Sequence, residues 1–538
     1  MSVPCAQQRF DEAVRRGLAS AAVPGRSGLR AAGTGLCSTL VAFILSACAV
    51  GPDFHKPAAP NVTGYSRVPL ARETAAAGKA GGGQFLVSDL DIPGQWWAIF
   101  HSHPLNELIE DALQHNTDLQ TAQAALRVAH ENVAAQRGAF YPQVAGNFTG
   151  TGGKVGSEIA SPLASNAIYY SLYTPLVTVS YTPDVFGRAR REVESDEALA
   201  EAQRFQLEAT YLTLTSNIVA AAVQEASLRG QIAATEKIIA ISKDNLNILR
   251  RQHDLGQIAD SDVLLQEAAL AQVEQTLPPL ERQLAQQRNL LTALAGRFPN
   301  QEIAQKFTMA GLRLPRELPV SLPSKLVEQR PDVRAAEANL HSASALVGVA
   351  IANRLPVVNL TGNFGYSSSS MATLFAPQAT MWAVTGSAAQ TIFDGFSLYH
   401  KEKAAEAAFD QAATQYRSTV IAAFQNVADV LRALEADART LKAAVAAEVA
   451  AEKSLDITRK QLVLGQVNNL ALLDAQRTYL QASLVRVQAQ AARYADTAAL
   501  FQALGGGWWN RSDVTAAAAA SGPTSIREFL LPTAAKDP

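Results

Sequence analysis

The chain has 538 residues, of which 48% are hydrophobic and only 17% are charged, and its formal net charge is −2. The length allows a large core, and the near-neutral charge gives no support to nucleic-acid binding. The three cysteines, Cys5, Cys37 and Cys48, cannot build a disulfide framework or a zinc site. Abundant Ala, Gln and Leu favours long helices packed on one another.

The amino-terminal residues 1–47 are predicted to be a secretory signal peptide. Gly35 to Ala47 forms an apolar core that is too short for a permanent membrane span, and several arginines precede it. The small residues before Cys48 resemble a bacterial lipobox, in which the cysteine is lipidated and becomes the first mature residue. Ala49 follows, rather than an aspartate, which resembles outer-membrane sorting. The alternative is an ordinary signal with an incidental cysteine.

Residues 48–94 are predicted to be a lipid anchor and an extended tether, because they are rich in Pro, Gly and Ala and show little periodicity. Two helices are predicted within residues 96–142 from two successive apolar stripes. His101 and His103 lie in this region. No carboxylate or thiol has metal-ligand spacing to them, so we interpret them as packing residues.

Two segments show the alternating pattern of β-strands. From Tyr173 to Tyr181, apolar side chains alternate with hydroxyl side chains, and aromatic residues stand at both ends, as in a lipid-facing barrel strand. Residues 144–151 form a weaker partner strand. Residues 357–366 and 382–392 repeat the arrangement, so the two predicted β-hairpins span about 143–183 and 356–393. The alternative is a soluble hairpin with one buried face.

These strands imply an assembly. Four strands cannot close a barrel around a lumen, and an open sheet edge is not tolerated in lipid. If the strands lie in a membrane, several copies of the chain must share one barrel. Twelve strands from three chains would close with room for a channel.

A long helix is predicted after each hairpin, over residues 189–253 and 397–462. Each would be about 100 Å long at about 1.5 Å per residue. Each is followed by Leu-Gly-Gln and a short polar run, which predicts the tip of an antiparallel helical hairpin. Gly256 and Gly465 supply the positive φ that ends a helix.

The return helices are predicted to start near Asp262 and Leu470. Asp260 and Asn468 are placed to cap them. In the first return helix, the run from Leu277 to Leu280 contains two prolines and should kink or divide it.

The chain is internally duplicated. Asp118 to Pro142 is echoed by Asp332 to Pro356, and the two Leu-Gly-Gln tips occupy equivalent places. Two copies of this size favour one intertwined unit over a solenoid of small repeats. The predicted divisions are the signal peptide (1–47), the anchor and tether (48–94), the first repeat (95–300), the second repeat (301–507) and a tail, disordered by default (508–538).

In this order, and duplicated, the motifs resemble the outer membrane factor family, the TolC-like exit ducts of tripartite pumps. The resemblance is greatest to the lipidated efflux branch that contains OprM and the NodT-type proteins. It covers residues 48 to about 507, and the chain departs from the family in its long leader and in the tail after Trp509. The stretches that carry it are Cys48 to Phe54, Trp96-Trp97, Asn116 to Leu119, Pro183 to Arg188, Leu277 to Glu281, Arg330 to Val333 and Leu472 to Arg477.

The resemblance implies a mainly α protein with a β-barrel portion. The expected assembly is a homotrimer with a twelve-stranded transmembrane β-barrel and a long α-helical periplasmic barrel that is closed at its lower end. Carried over to this chain, the closure would consist of an apolar ring of Leu470 and an acidic ring of Asp474. Arg477 lies one turn from Asp474, where it could pair with Asp474 or with a neighbouring chain. The alternative is an ordinary surface pair of little energetic effect.

The resemblance also implies partners. The predicted function is the outer membrane exit duct of a tripartite efflux system, which passively conducts drugs or other small toxic compounds. The implied partners are a periplasmic adaptor, an inner-membrane pump of RND type and outer membrane lipid, without nucleic acid or cofactor. The residues expected to meet the adaptor are those of the two tips, Leu255, Gly256, Gln257, Leu464, Gly465 and Gln466.

Four other functions are alternatives to this one. An enzyme lacks support because the chain has no HExxH, GxSxG or P-loop motif. The lipobox and the NodT-like motifs favour small-molecule efflux over a protein-secreting duct of the same fold. A copper duct is less supported because only Met309, Met371 and Met381 follow the signal. A lipid-anchored periplasmic coiled-coil scaffold without a pore is the alternative of a different class.

Overall fold

The computed structural model describes residues 49–62, 64–67, 71–154, 156 and 168–511. The predicted signal peptide, the predicted lipidation site Cys48 and residues 512–538 therefore lie outside the described residues. The described chain forms two compact units. One contains residues 49–50, 140–190 and 351–393, and the other contains the remaining described residues. Each unit takes segments from both sequence repeats.

The described strands are β1 (Phe85–Ser88), β2 (Gln143–Lys154), β3 (Tyr169–Tyr181), β4 (Glu317–Val320), β5 (Val357–Tyr366) and β6 (Thr380–Ala389). The described α-helices are α1 (His103–His115), α2 (Thr117–Arg137), α3 (Arg188–Asp254), α4 (Asp260–Glu274), α5 (Leu277–Leu294), α6 (Pro323–Gln329), α7 (Pro331–Ala352), α8 (Ser397–Val463) and α9 (Asn469–Ala503). Short 3-10 helices lie at Gly78–Ala80, Trp96–Phe100, Gly138–Phe140, Met309–Gly311, Met371–Thr373, Pro377–Ala379 and Trp508–Asn510.

The first unit is built on a four-stranded antiparallel sheet with the order β2-β3-β5-β6. The register pairs Val144 with Val179, Val177 with Phe364, and Phe364 with Trp382. Because directly opposed residues share a face, these apolar side chains form one continuous band across all four strands. The opposite face presents mainly hydroxyl and amide side chains.

The strand boundaries differ from the predicted ones. β2 and β3 extend beyond the predicted segments, because Gly152, Gly153 and Lys154 pair with Ser171, Tyr170 and Tyr169. Glycine-rich ends carry no alternation that a pattern can detect. The last strand begins earlier than predicted and ends at Ala389, and Ile392 is 98% exposed.

The second unit contains the long helices. α3 and α8 each have 67 residues, which corresponds to about 100 Å. The main core of this unit lies around a cluster of aromatic and aliphatic side chains that includes Trp96, Phe100, Ile218, Val427 and Phe501. The prediction of a mainly helical fold with a sheet portion and two repeats is confirmed.

The return helices of the two hairpins differ. Pro278 and Pro279 divide the first one into α4 and α5, because α4 ends at Glu274 and α5 begins at Leu277. The second continues unbroken as α9. The predicted cap Asn468 accepts a hydrogen bond from Ala471 N at 3.1 Å. The prediction for Asp260 was wrong: Ala259 occupies the cap position, and Asp260 begins the first turn. There the acidic side chain favours the helix through the helix dipole.

The predicted tether contains ordered structure that the sequence analysis missed. Its strand β1 pairs in parallel with β4, with Phe85 opposite Glu317. Nearby, Ala77 packs against Leu441 and Ala489 of the second helical hairpin. At the other end, packed structure continues beyond residue 507, the predicted boundary of the tail. Trp508 Nε1 donates to Gln329 O at 2.7 Å.

Candidate functional site at the helical tips

Both helical hairpins turn through the same backbone geometry. Gly256 has φ 73° and Gly465 has φ 71°. At the first tip, Gly256 N donates to His253 O and Gln257 N donates to Gln252 O, at 2.7 and 2.8 Å. The second tip repeats both bonds at 3.0 and 2.9 Å. This pair of bonds is the Schellman motif, in which a left-handed glycine satisfies the last carbonyls of a helix.

The predicted adaptor-docking residues lie on the outside of these tips. All six, Leu255 to Gln257 and Leu464 to Gln466, are exposed. Leu255 and Leu464 are 72% and 70% exposed. A leucine at the end of each hairpin therefore presents apolar surface to solvent, and docking of an adaptor on it remains a prediction.

The three predicted gate residues lie on one stripe of α9. Leu470, Asp474 and Arg477 follow one another at helical spacing, and all three are exposed. The opposite side of the same turns is buried, with Leu472 and Leu473 in the interior. Within a single chain the gate residues are thus held at the surface by a helix whose other side is packed.

The pairing expected for Arg477 within the chain was not found. Its Nη2 donates to Oε1 of Gln272, on α4, at 3.1 Å, rather than to Asp474. Both Asp474 and Arg477 are exposed, so an ion pair between them would contribute little in water. The amide on the neighbouring helix α4 is within reach of the guanidinium, and the bond joins the two hairpins. Pairing of Arg477 with a neighbouring chain remains a prediction.

Beneath the gate residues lies a buried cluster of uncharged polar side chains, here called the amide cluster. Asn245 Nδ2 donates to Gln266 Oε1 at 3.0 Å and to Asn469 Oδ1 at 3.2 Å. Gln266 Nε2 donates to Ser242 O at 3.2 Å, and Ser242 Oγ donates to Gln476 Oε1 at 3.4 Å. The cluster therefore connects α3, α4 and α9.

The amide cluster was not predicted from the sequence. A signal was present, since Asn469 and Gln476 are seven residues apart on the buried side of α9, where the neighbouring residues are leucines. A polar side chain at such a seam position is unusual and often specifies how helices register. Periodicity alone did not reveal that these amides meet Asn245 and Gln266 from the other hairpin.

Two cavities flank the cluster. One of about 190 Å³ lies between α3, α4 and α9 and is lined in part by Ser242, Gln272 and Gln476. The other, of about 130 Å³, lies among α3, α8 and α9 and is lined in part by Asn245 and Gln476. The packing around the start of α9 is consequently looser than in the main core.

Above the cluster a cation joins three helices. Lys237 Nζ donates to Tyr479 Oη at 2.7 Å and to Glu452 Oε1 at 3.3 Å. The pKa of Lys237 is raised, and the largest cause is the hydrogen bond to Tyr479. Burial opposes this increase, and the nearby carboxylate of Glu452 adds smaller contributions that also raise the pKa. The lysine therefore remains charged at neutral pH and links α3 to both helices of the second hairpin.

Within the described ranges, no three His, Cys, Asp or Glu side chains are grouped so that they could hold a metal ion. None of the described helices combines the length and apolar character needed to cross a membrane.

The duplicated strand hairpins and the long helical hairpins define a class of protein, the outer membrane channels with the TolC-like fold. The chain belongs to the outer membrane efflux protein family, whose model matches residues 108–297 and 322–506. It is an outer membrane efflux channel protein, located in the outer membrane and extending into the periplasm. The members of this family are channels rather than enzymes.

The chain is similar to several characterised proteins along nearly their whole length. It is 27% identical to the toluene efflux pump outer membrane protein TtgC of Pseudomonas putida over 478 residues, which cover 89% of this chain and 96% of TtgC. It is also 27% identical to the outer membrane protein OprJ of Pseudomonas aeruginosa over 477 residues, or 88% and 96% of the two chains.

Solved structures show the same fold. The outer membrane channel OprN matches with a TM-score of 0.75 and 27% identity, over 86% of this chain and 100% of OprN. The CmeC channel of Campylobacter jejuni matches with a TM-score of 0.77 and 20% identity, over 88% and 98% of the two chains. The predictions of the family, of an efflux channel function and of an outer membrane location are confirmed.

Proposed function

We propose that three copies of this chain form a passive exit duct, which receives small toxic organic compounds from an adaptor and a pump and releases them outside the cell. The observation that carries this proposal is the four-stranded sheet. Its outer strands β2 and β6 have no further strand partner within the described part of one chain. In lipid, unpaired strand edges are not tolerated, so β6 of one copy would pair with β2 of the next.

The apolar band of the sheet supports a membrane location for these strands. Its residues on the outer strands are highly exposed in the single chain: Val144 is 69%, Trp382 is 73% and Val384 is 81% exposed. Such a band would face the acyl chains in a closed barrel. Twelve strands give a barrel wide enough for a lumen.

The opposite face of the sheet suits a conducting wall. Its side chains, such as Asn147, Thr178, Asn363 and Thr385, are polar but uncharged. The only charged side chain in these four strands is Lys154, at the end of β2. A wall of this kind would pass solutes of either charge, so selection would occur elsewhere.

Selection and closure are assigned to the start of α9. Three copies of Leu470 would form an apolar ring and three copies of Asp474 an acidic ring, which restrict passage by size and charge. Arg477 would hold the closed arrangement through Gln272 and through a neighbouring chain. The two tips would receive the adaptor hairpins, and opening would be an outward shift of the second hairpin. Such a duct uses no catalytic residue.

The substrates and the remaining partners are inferred from chemistry and from relatives. Relatives of this chain include a toluene efflux protein, an antibiotic efflux protein and a cation efflux protein. We assign small organic compounds to this chain because it has few methionines for soft metal ions, with Met309, Met371 and Met381 the only ones after the leader. An inner-membrane pump of RND type would supply them, and lipidated Cys48 would anchor the chain in the outer membrane.

Planar-bilayer recording of the purified full-length protein tests the duct. Discrete single-channel currents are expected, together with increased sensitivity to drugs and solvents in cells that lack the gene. A protein that inserts into lipid but passes no current would contradict the proposal.

A further inference from the structure

We infer that the amide cluster is the joint that positions the gate-bearing first turns of α9 on the first helical hairpin and lets them shift during opening. The inference rests on the proposed function, since it concerns the same gate. It assigns a positioning role to Asn245, Gln266, Asn469 and Gln476, none of which faces the gate itself.

Two members of the amide cluster are adjacent to the predicted gate residues in the chain. Asn469 directly precedes Leu470, and Gln476 directly precedes Arg477, so two cluster members are covalent neighbours of gate residues. Asn469 and Gln476 are only 7% and 3% exposed. Any displacement of these turns must therefore change the contacts of the cluster.

The first helical hairpin has an apolar seam of its own. α3 and α4 share an apolar cluster of their own, which includes Ile239, Leu246, Leu249, Val263 and Leu270. No residue of α9 belongs to it. A shift of α9 would therefore leave the seam of the first hairpin closed. It would rearrange the amide contacts, together with the smaller apolar cluster in which Leu472 and Tyr479 of α9 pack with Ile238 of α3.

Apolar contacts and amide hydrogen bonds respond differently to a shift of the helix. An aliphatic seam loses buried area as soon as it separates, whereas amides can exchange one hydrogen-bond partner for another. The present arrangement leaves donors for such an exchange. Asn469 Nδ2 and Gln476 Nε2 are buried and have no hydrogen-bond partner in the described chain. A buried donor without a partner is unfavourable, so other arrangements of the cluster with more hydrogen bonds are open to it.

The amide cluster has open space on both sides. The cavities of about 190 and 130 Å³ lie on the two sides of Gln476. Each is lined by several polar side chains and is large enough for water that could hydrate the free donors. The start of α9 therefore has room to move on either side without compressing a packed core.

A reversible bridge tests the joint. Residues 49–538 contain no cysteine, so Asn245→Cys with Asn469→Cys introduces the only thiols after Cys48. A short bis-thiosulfonate reagent would link them, and mass spectrometry of the linked peptides would verify the bridge. The matched control is Ser195→Cys with Ser342→Cys, because these buried hydroxyls are 2.8 Å apart between α3 and α7, away from the gate.

In planar bilayers, the bridge at positions 245 and 469 is expected to lower the frequency of channel openings about tenfold, and dithiothreitol to restore it. The control bridge should leave the frequency unchanged. An unaltered opening frequency with the bridge at 245 and 469 formed would overturn the inference. An absence of currents from the unbridged protein would instead count against the proposed duct.

A second variant applies whether or not the bridge forms. Asn245→Leu, Gln266→Met and Asn469→Leu together replace three amides by apolar groups of similar size. The melting temperature should not fall, because no buried donor is left unpaired by the change. The opening frequency is nevertheless expected to fall about fivefold, since the joint can no longer exchange partners. A variant that opens as often as the wild type would refute the positioning role.

Discussion

Arg477 Nη2 donates a hydrogen bond to Gln272 Oε1 at 3.1 Å and so connects the gate-bearing helix of the second hairpin to the first hairpin. The bond replaces the ion pair with Asp474 that helical spacing had suggested. In the proposed gate, closure would therefore depend on contacts between the hairpins as well as on the acidic ring.

Substitution of the gate residues should open the channel. Asp474→Ala with Arg477→Ala removes the acidic ring and the contact with Gln272, and should raise the conductance of the isolated assembly about threefold in planar bilayers. Gln272→Ala alone should give part of this increase. The matched control is Lys460→Ala, because Lys460 forms an exposed pair with Asp456 on α8. Unchanged conductance in the double variant would argue against the assigned gate.

The two faces of the sheet should respond differently to charge. Val384 lies in the apolar band, and its neighbour Thr385 points to the opposite face. Val384→Arg should destabilise the inserted barrel by about 2–4 kcal/mol, because arginine would face the acyl chains. Thr385→Arg is the matched control and should cost much less. Urea titration in lipid vesicles measures both, and equal effects would show that these strands do not form a lipid-facing wall.

The tether should depend on one buried arginine. Arg493 of α9 is fully buried, and its guanidinium donates to Gln84 Oε1, Thr74 Oγ1 and Gly82 O at 3.1, 3.1 and 2.7 Å. Arg493→Ala leaves Gln84 Oε1 and Gly82 O without this donor, whereas Thr74 Oγ1 still accepts from Gln84 N, and should destabilise the protein by about 3 kcal/mol. Limited proteolysis should then cut near residues 72–84. Arg486→Ala, which removes a partly exposed pair with Glu448, should have a smaller effect.

The free energy of unfolding should also decrease as the pH rises, because of Asp437. Burial, followed by the neighbouring carboxyl of Asp496, raises the pKa of Asp437 from 3.8 to about 6. The folded chain therefore binds more protons than the unfolded chain between about pH 4 and pH 6. The contribution of this group is present at low pH and is lost as the pH rises through 6.

Asp437→Asn should remove this pH dependence and raise the melting temperature at pH 7.5. Asp456→Asn is the control, because Asp456 is exposed and paired with Lys460. Thermal unfolding between pH 4.5 and 7.5 measures the effect. A wild-type midpoint that does not fall across this range, after correction with the control, would exclude the assigned role of Asp437.

Periodic patterns in the sequence predicted the long, regular elements of the fold. The two 67-residue helices, their glycine tips and the strand from Val357 to Tyr366 follow from periodicity and turn chemistry. The strand β1 did not, because its four residues are stabilised by a partner more than two hundred positions away. Local patterns carry no information about such pairing.

The candidate site could likewise be predicted only in part from the sequence. The exposed stripe of Leu470, Asp474 and Arg477 is evident from spacing together with family resemblance. The amide cluster and the burial of Arg493 depend on which helices meet, and Gln84 and Asn245 lie far from their partners in the sequence. A polar residue in an apolar stripe indicates an unusual position, but its partner can be named only from the fold.

In the proposed duct, the chain forms its pore by sharing strands among three copies. Native mass spectrometry of the detergent-extracted protein tests it most directly. We expect a complex of three chains that resists dissociation until it is heated. A water-soluble monomer that never enters the membrane fraction would contradict it.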